Sequence, residues 1–152
     1  MADFAADTII NAPVEHVWKA LARIGSIYEW NPGVVGSHLT TEKADGIGAG
    51  RQCDLGGGNH LEEEVVEWDP GNRLTMRISE TNLPFKAADI RFPLQADNGK
   101  TRVTVSPIYE LKFGMIGKVL DAVYVRNNYR RGMEALLKGL KKYVESGGGS
   151  AA

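Results

Sequence analysis

Two charged residues near the middle of the chain have the types and spacing for ligand or proton chemistry. Arg51 and Glu64 lie on either side of Gly57-Gly58. If those glycines form a two-residue hairpin turn, Gly56 faces Asn59, Cys53 faces Glu62 and Arg51 faces Glu64. Directly opposed residues project from the same face of a sheet. Glu64 also shares strand parity with the apolar Val66 and Trp68, so an arginine and a carboxylate are expected together on an otherwise apolar face. Such a pair can balance its own charge as a cross-strand ion pair. It can also anchor a ligand carbonyl, phenol or carboxylate, or act as an acid/base pair.

A second set of polar residues interrupts a helix. Ile116, Val119, Val123, Arg126, Arg130, Met133, Leu137, Leu140 and Val144 keep a 3-4-3-4 spacing, which places them on one seam of a helix over about 115–144. Thirty residues make a rod of roughly 45 Å. Arg126 and Arg130, with Asn127 beside them, break the seam. They either snorkel to water or face a cavity, and in the second case they need an acidic partner such as Glu64 or Glu80, an anionic ligand or water.

Other reactive types are less organised. His38 alternates with Gly36 and Thr40, His16 is expected on the exposed side of a helix, and His60 sits at a hairpin end. No two histidines have ligand spacing, so no metal is expected. Cys53 reads as a small apolar filler. No serine or cysteine stands in a nucleophile motif. Gly46-x-Gly48-x-Gly50 is followed by strand-type residues rather than a helix, which argues against a phosphate cradle, and no cofactor is expected.

The elements that must position these residues follow from periodicity. Phe4–Ile10 reads as a strand. Pro13 and Glu15 open a helix over 14–23, and Ser26–Trp30 forms a second short helix or turn. Six strands follow: 34–42, 51–55, 60–68, 73–80, 86–94 and 101–110, joined by Gly, Asn, Asp and Pro turns. Pro93 points to a strand end or an edge. The order is strand, two helices, six strands, long helix. This is an α+β antiparallel meander of seven strands with one face covered by the long helix.

With 152 residues, 43% hydrophobic and 24% charged, the chain is one domain in the ordinary globular range. A net charge of −1 argues against a nucleic-acid partner. One cysteine excludes an internal disulfide. No run is long enough for a membrane span, and no leader-like block opens the chain, so a cytoplasmic location is expected. Residues 147–152 read as a flexible tail outside a domain spanning 1–146.

The segments Ile10-Asn11-Ala12-Pro13-Val14-Glu15-His16-Val17-Trp18 and Trp30-Asn31-Pro32, the glycine loop 46–51, the strand around Glu64, Leu83-Pro84 and the C-terminal helix together resemble the START/Bet v1 (SRPBCC) superfamily, in its polyketide cyclase/dehydrase-like branch. The resemblance implies a helix-grip fold, in which seven curved antiparallel strands hold the long helix. It also implies a deep cavity between sheet and helix that takes a small hydrophobic or aromatic ligand.

On that reading the lining comprises Trp30, His38, Arg51, Glu64, Val66, Trp68, Met76, Ile78, Ile90, Phe92, Tyr109, Val123, Tyr124, Asn127 and Arg130. Leu83, Pro84 and Phe85 form a lid. The expected function is binding of a small hydrophobic molecule by a monomer or homodimer. One alternative is a cyclase or dehydratase using Arg51 and Glu64. Another is a ligand-gated regulator with an apolar patch around the lid.

Overall fold

The structure, a computed structural model, describes residues 2–148, and the side chains at 117, 122 and 123 lie outside the description. Strands β1 (Ala2–Asp3) and β2 (Ala6–Ile10) come first, followed by helix α1 (Val14–Ala22) and a 3-10 segment over Ile24–Glu29. Six strands succeed them: β3 (Gly36–Leu39), β4 (Gly50–Gly56), β5 (Asn59–Asp69), β6 (Arg73–Thr81), β7 (Phe85–Asp97) and β8 (Lys100–Leu111). The chain then runs through α2 (Gly114–Leu120), a π-helical turn (Asp121–Val125) and α3 (Arg126–Glu145).

The strands pair antiparallel in the order β1-β8-β7-β6-β5-β4-β3, and β2 also pairs with β8. This is the expected helix-grip meander. Its first strand is broken at Phe4-Ala5 into two short pieces on the same neighbour. Pro93 does not end β7, which continues to Asp97 between β6 and β8. It is tolerated because it pairs with Arg73, the first residue of β6, where the ladder on that side finishes.

Helix α1 starts directly after Pro13, with Glu15 in its first turn, and buries Val17, Ala20 and Leu21 against the sheet. Helix α3 buries Leu136, Leu137, Leu140 and Val144, each worth ~1.5–3 kcal/mol of transfer free energy. Gly139 lets α3 approach the segment after the 3-10 turn: an added Cβ would lie 2.0 Å from the Trp30 carbonyl oxygen. Gly147, with φ of +91°, turns the chain out of the helix, and its N–H donates to Val144 O at 3.0 Å. The expected tail thus begins with an ordered cap, and 149–152 lie outside the described residues.

The long helix is present from Gly114 to Glu145, but its expected seam is corrected. A π turn carries one extra residue, which advances the phase of everything after it by ~100° relative to an unbroken α-helix. Ile116 and Val119, the start of the expected seam, are 69% and 63% exposed. After the π turn the stripe facing the sheet runs through Val125, Tyr129, Met133, Leu136 and Leu140. Arg126 and Arg130 fall on its flank.

Candidate functional site

Sheet curvature and α3 enclose a cavity of about 660 Å³. Ile78, Ile90 and Phe92 supply its floor from β6 and β7, and Tyr129, Met133 and Leu136 supply its roof from α3. Leu83, Pro84, Phe85 and Tyr124 border it at one end. The β6–β7 loop is tied down there: Leu83 N–H donates to Thr81 Oγ1 at 3.1 Å, and Lys112 N–H donates to Pro84 O at 2.9 Å. A space of this size, mostly apolar with a few polar groups, has the dimensions of a small-molecule site.

Its main polar feature is Arg51 with Glu63. Both are about 4% exposed. Arg51 Nε donates to Glu63 Oε1 at 3.0 Å, Nη2 lies 2.9 Å from the same oxygen, and Nη1 donates to Ile24 O at 3.1 Å. Ile24 opens the 3-10 segment that follows α1, which brings its carbonyl to the guanidinium. Two buried charges here neutralise each other, which removes most of the penalty that either would carry alone. Cys53, in contact with Glu63 Oε1 at 4.0 Å, has its thiol pKa pushed up to about 12, chiefly by burial. It is therefore a neutral wall group and not a nucleophile.

The opposing wall carries Tyr129. Its phenol is pushed well above the usual range, first by burial, then by the nearby Glu63 charge and by Tyr109. It stays protonated and can donate. Tyr109 beneath it donates to Asp121, and its own pKa is raised to about 12 by burial first and that hydrogen bond second. Phe4, Phe85 and Tyr109 all hold the Tyr129 ring, with centroid separations of 5.2, 5.3 and 5.1 Å. These tilted and edge-on packings fix its orientation.

The expected partner of Arg51 is corrected by one residue. Gly56 does face Asn59, but the ladder shifts between Asp54 and Gly56, leaving Leu55 as a bulge, so Arg51 lies opposite Glu63. A second irregularity, between Val65 and Glu67, breaks the parity that linked Glu64 to Trp68. Leu61, Glu63 and Val65 therefore point inward, and Glu64 is exposed on the outer face opposite Arg77.

Of the other expected lining residues, Arg51, Ile78, Ile90, Phe92 and Tyr124 border the cavity, as do all three lid residues. Trp30 and Met76 are instead fully in the packed core. Trp68, with its ring 5.1 Å from that of Trp18, packs away from the cavity, and Val66 is the residue left out of the ladder between Val65 and Glu67. His38 is exposed on the edge strand β3. Tyr109 supports the wall without forming it. Val123 lies outside the residues whose side chains are described.

Asn127 and Arg130 do not border the cavity; their α3 neighbours Asn128 and Tyr129 do. Arg130 reaches Ala5 O at 3.2 Å and stacks over Phe4 at 4.9 Å, while Arg126 pairs with Asp121 at 3.6 Å. Neither arginine meets Glu64 or Glu80. Met115, Ile116 and Val119 on α2 are among the large apolar residues that are exposed, whereas Leu83 and Phe85 are half-buried. Among the described residues no helix is long and apolar enough to cross a membrane, and no His, Cys, Asp and Glu cluster could hold a metal.

Residues 1–145 match the family model described as polyketide cyclase / dehydrase and lipid transport. No curated protein matches. Among solved structures, a Thermus thermophilus protein superposes with a TM-score of 0.80 at 22% identity, covering 99% of this chain and 100% of that one. An aromatase/cyclase from a Streptomyces strain gives 0.76 at 18% identity, covering 95% and 93%. A major latex-like protein from Panax ginseng gives 0.74 at 17% identity, covering 93% and 96%. At these identities the likeness is one of fold.

Proposed function

This chain belongs to the polyketide cyclase / dehydrase and lipid transport family, and from that premise we propose that it binds a small hydrophobic or aromatic molecule between its sheet and α3. The observation that carries this reading is the cavity of about 660 Å³ with apolar walls and one buried ion pair at its inner end. A void of that size is unfavourable to maintain empty, since its lining forgoes dispersion contacts that a ligand would supply. Arg51 and Glu63 orient the ligand's polar group, and Leu83–Phe85 close over its apolar body. Native mass spectrometry of protein purified from its source tests this. A co-purifying small molecule, absent from a Gly132→Phe variant that fills the mouth, is the expected result. A ligand-free wild type that also binds no small aromatic compound at millimolar concentration would refute it.

A second reading is favoured by one observation. A carboxylate, Glu63, and a phenol held in its protonated form, Tyr129, border the same space. Those are the groups a cyclisation or dehydration needs, one to accept a proton and one to polarise a carbonyl. Turnover of a β-hydroxy ketone that vanishes in Glu63→Gln while binding persists is the outcome that separates catalysis from carriage.

A further inference from the structure

Resting on the binding role proposed above, we infer that the cavity selects a neutral ligand carrying a hydroxyl donor, a phenol or an alcohol, over the corresponding carboxylate. The two carboxylate oxygens of Glu63 differ in their partners. Both guanidinium contacts fall on Oε1. No hydrogen bond reaches Oε2 from any described residue, and among the described residues no sealed side-chain oxygen or nitrogen lacks a partner. Oε2 is therefore not sealed, and it opens onto the cavity that Glu63 borders.

An open carboxylate oxygen only accepts. It recognises an O–H, and a hydrogen bond to an ionised acceptor is among the stronger neutral-ligand contacts available. A ligand carboxylate meets the opposite conditions. The charge of Arg51 is already matched by Glu63, so a second carboxylate would leave a net negative cluster in a site of low dielectric. Tyr129, protonated and on the opposite wall, can donate to a carbonyl elsewhere on the ligand. The class that fits is thus an uncharged hydroxyaromatic or hydroxyketone, and not a fatty or aromatic acid.

Three probes of nearly equal size make the test: 2-naphthol, 2-methoxynaphthalene and 2-naphthoate, titrated calorimetrically at pH 7 into the wild-type chain. The expected result is that 2-naphthol binds at least ~10-fold tighter than either of the others, the range for a hydrogen bond to a charged group. In Glu63→Gln the side-chain amide turns its N–H₂ toward the cavity and leaves Arg51 uncompensated. The naphthol advantage should then fall below ~3-fold, with 2-naphthoate gaining. If 2-methoxynaphthalene matches 2-naphthol, or 2-naphthoate equals or exceeds it, in the wild type, the selectivity is overturned while the binding role stands. If none of the three binds, the binding role itself fails and the selectivity with it. The wild-type comparison decides the question even if Glu63→Gln does not fold.

Discussion

Arg51 and Glu63 face each other across β4 and β5, with Arg51 Nη2 2.9 Å from Glu63 Oε1 and the two side chains 5% and 4% exposed. Removing one member strands the other. Glu63→Ala or Arg51→Ala should cost ~3–5 kcal/mol in chemical denaturation. The paired replacement Arg51→Met with Glu63→Leu should recover most of that, because two well-packed apolar side chains need no compensation. A double-mutant cycle in urea checks it, and additive losses would argue against direct coupling.

Glu64 gives the matching control. It is exposed on the outer face, so Glu64→Gln should change stability by no more than ~0.5 kcal/mol and leave ligand binding unaltered. A loss of binding in this variant would mean that β5 is shifted by one residue from the register described.

Two glycines of α3 should respond in opposite directions. An added Cβ at Gly132 meets nothing within 4 Å, so Gly132→Ala should stabilise by ~0.5–1 kcal/mol through helix propensity. At Gly139 the same methyl lies 2.0 Å from the Trp30 carbonyl oxygen, and Gly139→Ala should destabilise by ~1–3 kcal/mol or more as α3 is pushed off. Thermal unfolding of the two variants side by side measures the contrast.

Cys53 predicts an alkaline signature. In the unfolded chain its thiol ionises near the ordinary value of 9.0, and in the folded chain at about 12, because burial disfavours the thiolate. The folded state therefore holds the proton longer. Stability from this group is fully present below pH 9 and is lost as pH rises from about 9 to 12. Cys53→Ala should flatten the stability–pH curve in that window. At pH 9 the thiol should react with an aromatic disulfide reagent ~500-fold more slowly when folded than in denaturant, the ratio of the two thiolate fractions.

The fold was legible because period and turn chemistry agree along the chain. Pro13 and Glu15 mark α1, Gly57-Gly58 marks a hairpin, and Leu74, Met76 and Ile78 alternate through β6. The site was legible only to within one residue. Parity arguments assume unbroken ladders, and the bulge at Leu55 together with the irregularity at Val66 each shift the count by one. That moved the buried carboxylate from Glu64 to Glu63. The long helix lies where its spacing placed it, but its inward stripe sits one residue to the side: Val125 and Tyr129 pack inward, and Arg126 and Arg130, the next positions along, fall on the flank. A signal was present in Val125, Tyr129, Met133, Leu136 and Leu140, which form an unbroken apolar row once strict 3-4 alternation is relaxed. The run of acids at 62–64 offered no local cue to which one turns inward.

Backbone amide chemical-shift mapping with 2-naphthol tests the occupied-cavity account most directly. Perturbations are predicted to concentrate on Cys53, Glu63, Ile78, Ile90, Tyr129 and Leu136, from both walls of the cavity at once. Shifts confined to the exposed face of α2 at Met115, Ile116 and Val119, or none at millimolar ligand, would contradict it.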